Sequence, residues 1–258
     1  MQEIGSTDSF LLTQFELLYN TNKAVVFADV PRGDWVFQHD FRERAPHYYI
    51  GDVKPSETFG EKLAGIKHAV ETRGRFEKER EDYMILQLKL IPEKISGLTQ
   101  KYPSLKGKKD ITVLVRLGVF HTGVSDTLRS RGVTRSFESG QRPYDFLAEG
   151  WRRGRFEKKI DDTFAARIFL QELLERMIGD HYPDLFKVLL KNFEKRAGLY
   201  RKIISQFGEE DIHEIYDYLQ KPHENRFEKV FEKKLDEKNI RFPKTEEELD
   251  EFLESEKM

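Results

Sequence analysis

The chain contains no cysteine among its 258 residues. That excludes disulfides, thiolate metal ligands and a cysteine nucleophile, and it fits a cytoplasmic setting. Tryptophan and methionine are scarce, with two and four residues. Net charge is almost absent: 44 basic residues face 46 acidic ones for a formal −2, which argues against a general nucleic-acid or membrane-surface binder. No run approaches the ~20 apolar residues of a membrane-spanning helix, and Met1-Gln2-Glu3 lacks the basic-then-apolar start of an export signal. The expectation is a cytoplasmic, soluble protein with no membrane contact. What is plentiful is charge of both signs, 35% of the chain against 38% hydrophobic residues. High Lys, Arg and Glu with few Met and no Cys is also the composition trend of heat-adapted proteins. The length suffices for one large domain or two smaller ones.

The pattern along the chain is helical at most places and strand-like at a few. Residues 111–117, Ile-Thr-Val-Leu-Val-Arg-Leu, read as a buried strand ended by Gly118, with a short helix after His121, a stop at Gly132 and an extended run to Phe137. Residues 24–30 form a second apolar run of strand length that carries Asp29 near its end. One more strand is expected near residues 48–50. A helix is predicted from Pro55-Ser56 to about Arg73, with Phe59, Leu63, Ile66 and Val70 on one face. A basic, glycine-containing connection then leads to a helix over residues 76–98, kinked at Pro92, whose stripe Met84, Leu88, Ile91, Ile95 and Leu98 is continued upstream by Arg80. Beyond a linker at residues 139–143 the chain is helical: residues 162–178, residues 183–207 as one long helix, then shorter helices at 209–219, 224–238 and 245–254. The last two are dominated by Glu and Lys and read as exposed or partner-dependent. The fold class expected is α/β, with a small mostly parallel sheet flanked by helices in residues 1–138. An all-helical C-terminal region, residues 139–258, would cap the site or mediate homo-oligomer formation.

A polar side chain just past the carboxyl end of a buried strand is where α/β proteins place chemistry, which singles out His121. Its imidazole can bind a divalent metal or act as a general base. Gly5-Ser6-Thr7-Asp8, Asp29, Arg80 with Met84, and Gly118-Val119-Phe120-His121 stand in an order that resembles the TraB/TIKI, ChaN and erythromycin-esterase-like superfamily. The family's second G-x-x-H matches at Gly118 and His121 and its Arg-x-x-x-Met helix at Arg80 and Met84. Its acidic position is matched in kind by Asp29, while Asp8 stands where the first motif has histidine. The resemblance implies hydrolysis of a small-molecule or peptide substrate, metal-dependent in some relatives and metal-free in others. His121, Arg80 and Asp29 would be catalytic, and Asp8, Asp29 and His121 would form a site suited to Mn, Fe, Co or Zn. Each residue also has a plainer reading. Asp8 can cap the first helix, Asp29 can pair with Arg80, and His121 can bond to backbone; the chain would then be a non-catalytic binding or regulatory protein.

Two further features stand out. Arg129, Arg131, Arg135, Arg142, Arg152, Arg153 and Arg155 concentrate basic charge after His121. They read either as a solvated face with acidic neighbours such as Glu149, or as a rim for an anionic substrate. The hexapeptide Arg-Gly-Arg-Phe-Glu-Lys occurs at residues 73–78 and again at 153–158. The sequences flanking its two copies do not repeat, so it is read as a product of charge-rich composition.

Overall fold

The computed structural model describes residues 50–108, Val124, residues 144–221 and residues 227–255. The helices are α1 (Phe59–Lys89), α2 (Ile91–Lys101), α3 (Phe146–Arg155), α4 (Asp162–His181), α5 (Pro183–Lys191), α6 (Phe193–Ile204), α7 (Glu209–Leu219), α8 (Phe227–Glu237) and α9 (Glu246–Glu254), with a 3₁₀ turn at Pro103–Leu105. There is no strand among the described residues, so the fold is mainly helical and the α/β expectation with its parallel sheet is corrected. The expected strands at residues 24–30, 111–117 and 133–137 lie outside the described residues. The one expected near residues 48–50 reaches them only at Ile50, which sits in a turn. The physical reason is periodicity: the described segments repeat their apolar residues every three to four positions, which suits helix packing and cannot present one face of a sheet.

The described residues divide into two compact units. One comprises residues 50–78, 144–221 and 227–255; the other comprises residues 79–108 and Val124. In the first, α4 is the hub and packs against α3, α5, α6, α7 and α8. Its sequence explains this. Phe164, Ala165, Ala166, Ile168, Phe169, Leu170, Leu173, Leu174, Met177 and Ile178 are buried on every side of the helix, as an interior helix requires. The face of α1 formed by Phe59, Leu63, Ile66 and Val70 is buried in the same core, as its spacing predicts. Helix starts are set by local capping. Thr58 and Glu61 form a reciprocal box, with the Thr58 amide donating to Glu61 Oε2 at 2.8 Å and the Glu61 amide to Thr58 Oγ1 at 3.2 Å. Asp145, Asp161, Asn192 and Thr245 accept amides at the first turns of α3, α4, α6 and α9.

Two helix boundaries and the burial of the last two helices differ from the sequence reading, and α3 was not expected. The expected single helix over residues 183–207 is two, because Asn192 is extended and its side chain accepts the Lys195 amide at 3.0 Å, starting α6. Conversely, α1 runs through residues 73–75 without the expected connection. A Cβ on Gly74 would lie 2.4 Å from the Arg155 backbone nitrogen, and one on Gly154 2.9 Å from the Val70 carbonyl oxygen. These glycines therefore permit α1 and α3 to cross backbone to backbone. Finally, α8 and α9 belong to the core despite their Glu- and Lys-rich sequences: Phe231 and Leu249 are fully buried, and Phe231 stacks on Phe207 at 5.5 Å.

In the second unit α1 ends at Lys89 and α2 begins at Ile91 with Pro92 in its first turn, where a missing amide hydrogen is harmless. Met84 is buried and Arg80, one turn upstream, is half-buried.

Candidate functional site

Of the four residues that the sequence places at a site, Asp8, Asp29 and His121 lie outside the described residues. Arg80 is on α1, in the unit that comprises residues 79–108 and Val124. Arg129, Arg131, Arg135 and Arg142 of the basic concentration are likewise outside, but its remaining three members are placed. Arg152 Nε donates to Glu149 Oε2 at 2.7 Å and its Nη2 to Glu149 Oε1 at 3.1 Å, while Arg153 lies 3.4 Å from Oε1 and 3.9 Å above the Phe164 ring. Arg155 is buried, its guanidinium 4.5 Å from the Phe156 ring centre. Both hydrogen bonds and Coulomb attraction from the two arginines hold the Glu149 carboxyl below its ordinary value against its own burial. Arg152 and Arg153 thus pair with an acidic neighbour, as the solvated-face reading expects, while Arg155 is buried.

A different constellation emerges around α4. Glu172, Glu175, Arg176, Gly179 and Asp180 project from one side of this helix and, with Phe186 of α5, line an open cleft of about 580 Å³. The i, i+3, i+4 and i+7 spacing of the first four puts them on a single helical face. Arg176 is committed away from its acidic neighbours: Nη1 donates to Asp52 Oδ1 at 2.7 Å. Asp52 is held in turn by its backbone, whose carbonyl accepts from the fully buried Lys62 ammonium. Burial lowers the Lys62 pKa, while Glu57, 3.8 Å away, counteracts that effect. Arg196 of α6 pairs with Asp145 Oδ2 at 3.3 Å.

The consequence is that Glu172 and Glu175 are left over. Neither makes a hydrogen bond or ion pair with any described residue, although both are half-buried. Burial pushes the Glu172 carboxyl up to about 7, with Glu175 and Asp145 adding to the effect and Arg176 opposing it. Glu175 is also raised, by burial first and Asp145 next, against Arg196. Tyr200 of α6 is fully buried and its hydroxyl has no hydrogen-bond partner among the described residues. Burial raises its pKa, with Glu175 adding to the effect and Arg196 opposing it.

Such an arrangement offers two carboxyl groups with no hydrogen-bond partner among the described residues. A half-buried carboxylate with no counter-ion is costly, and native structures retain the cost mainly where a ligand or a proton completes the site. Among the described residues no three His, Asp or Glu side chains are grouped to hold a metal ion, and no helix is long and apolar enough to cross a membrane. Sequence reasoning missed this site because Glu172 and Glu175 look like ordinary helix charges. The available signal was their position: acidic residues on a helix otherwise apolar at most positions. Family models, curated proteins and solved structures were all compared with this chain, and none matches.

Proposed function

We propose that the protein is a non-catalytic binding or regulatory protein whose helical unit presents the cleft along α4 and α5 to a ligand. The observation that carries this reading is the pair Glu172 and Glu175 in an open cleft, with no hydrogen bond or ion pair to any described residue, while Arg176 and Arg196 each pair with another carboxylate. A recognition site needs polar groups that are fixed in position and left for the ligand to satisfy, and these two are held on the most deeply packed helix of the unit. The cysteine-free composition agrees with a cytoplasmic place of action.

The test is a ligand screen on the full chain by thermal shift, using charged and neutral small molecules and short peptides, with Glu172→Gln/Glu175→Gln as the site control. Compounds that raise the Tm of the wild type and not of the variant support the reading. A screen in which every stabilising compound acts equally on both proteins would overturn it. Turnover of an ester or peptide panel that survives in the variant would place a different, catalytic site elsewhere in the chain.

A further inference from the structure

We propose that the junction of α3, α4 and α6 is a second ligand site, independent of the α4–α5 cleft, and that it takes the phosphoryl group of a small molecule. The three helices pack against one another, and each brings a guanidinium to the same pair of aromatic rings. Arg201 of α6 lies 4.5 Å and Arg167 of α4 5.9 Å from the Phe146 ring centre. Phe146 meets Phe164 edge-on at 5.9 Å, and Arg153 of α3 sits 3.9 Å above that second ring. The aromatic pair is fixed in place: both rings are buried, and the Phe146 amide donates to Gln171 Oε1 at 2.8 Å.

The carboxylates of α3 are already engaged. Glu149 is shared by Arg152 and Arg153, while Asp145 pairs with Arg196 and caps the helix. Arg201 donates through Nε to the Tyr144 carbonyl and pairs with no carboxylate among the described residues. Arg167 makes no hydrogen bond or ion pair with any described residue, and its Nε is buried without an acceptor. Burial lowers the Arg201 pKa; Glu149 and Asp145 oppose that effect, and Arg153 and Arg167 reinforce it. Both Arg167 and Arg201 are half-buried, so they remain within reach of a ligand. An aromatic ring attracts the cation but accepts none of its in-plane N–H groups, which are left for an oxyanion.

The class of anion follows from charge and shape. Two arginines without a carboxylate call for two negative charges, and forks arriving from different helices call for acceptors that point in several directions. A phosphate monoester supplies both, being largely a dianion near neutral pH with three terminal oxygens. A carboxylate is satisfied by a single fork. A polyanion such as nucleic acid is disfavoured, because Asp145 and Glu149 place acidic charge at the same junction and the whole chain carries a formal −2.

Isothermal titration calorimetry on the full chain at pH 7.5, where phosphate is largely a dianion, tests this with sodium phosphate, sodium acetate and a single-stranded oligothymidylate as probes. The expected result is saturable phosphate binding, at least tenfold weaker in Arg167→Gln and in Arg201→Gln. It should be a few-fold weaker in Arg167→Lys, which keeps the charge and loses the fork, and unchanged in Arg241→Gln, at an exposed side chain. Without phosphate, Arg167→Gln should not lower the Tm, because it removes no hydrogen bond or ion pair to a described residue. Phosphate should also move the Phe146 and Arg167 amides of the wild type, a readout that needs no variant to fold. No phosphate binding, binding unaffected by either Gln variant, or shifts confined to other parts of the chain would overturn the proposal, as would acetate binding with equal affinity at the same amides. Oligothymidylate binding far more tightly than phosphate through the same arginines would overturn the small-molecule class in favour of nucleic acid. A lower Tm of Arg167→Gln with unchanged phosphate affinity would overturn the site in favour of a structural role for the arginine.

Discussion

Glu172 carries its carboxyl at about 7 because burial and the neighbouring Glu175 both penalise its charge, with Arg176 only partly opposing them. In the unfolded chain the same group has its ordinary value of 4.5, so between these two values the folded state binds more protons than the unfolded one. Its contribution to stability is fully present below 4.5 and is lost as pH rises through 7, a change of at most about 3 kcal/mol. Glu175 acts in the same direction. Glu172→Gln is expected to flatten the pH dependence of the urea midpoint between pH 5 and 8 and to be the more stable protein at pH 8; an unchanged pH profile would show that Glu172 keeps an ordinary pKa in the folded chain. The sequence shows α4 as a helix with Ala165, Ile168, Phe169, Leu173 and Met177 inward, and all five are buried. It does not show that Glu172 and Glu175 are half-buried. Their surroundings include Phe186 and Asp145, distant along the chain or beyond a helix break, and only the packed unit assembles them.

At the scale of elements the two copies of Arg-Gly-Arg-Phe-Glu-Lys make a controlled comparison. At residues 73–78 the hexapeptide is interior to α1, with Phe76 buried and Arg75 exposed. At residues 153–158 it ends α3: Glu157 adopts φ 54°, the Lys158 amide returns to the Arg153 carbonyl at 2.9 Å, Phe156 is 42% exposed and Arg155 is buried. The copies meet at the crossing of α1 and α3, glycine against glycine, and Lys78 lies 3.2 Å from Glu157. Gly74→Ala is expected to cost about 3 kcal/mol or more, since its Cβ would strike backbone atoms of Gly154 and Arg155 that have no flexible side chain to yield. Gly97→Ala, in α2 with nothing within 4 Å, should instead stabilise by about 0.5–1 kcal/mol through better helix propensity. Thermal denaturation of both variants checks the pair, and equal effects would remove the close crossing as the reason for glycine at position 74. The starts of α4 and α9 fall within a residue of those read from the sequence, because a cap is decided within four residues, whereas α3, begun by Asp145, was not expected. The break at Asn192 was hidden, because the apolar spacing from Phe186 through Phe207 continues across it.

For the molecule as a whole, the unit comprising residues 50–78, 144–221 and 227–255 is closed by its last two helices. Phe231 of α8 is fully buried, stacked on Phe207 at 5.5 Å and on Phe227 at 5.0 Å, and Leu249 of α9 is fully buried. Phe231→Ala should cost about 3–5 kcal/mol in chemical denaturation, as for other large core aromatics. A loss below ~1 kcal/mol would mean that α8 is dispensable to the core. The sequence by itself determined α4, α7 and α9 and the inward faces of α1 and α4, because a 3.6-residue period and a capping side chain are local properties that each segment carries alone. Tertiary structure alone decided that α8 and α9 join the core, that the second Arg and the Phe of two identical hexapeptides exchange burial, and that Glu172 and Glu175 form no ion pair with any described residue. Each of these depends on which charges and surfaces meet across the chain. Arg176 turns to Asp52 and Arg196 to Asp145, and no pattern within α4 or α6 specifies those choices.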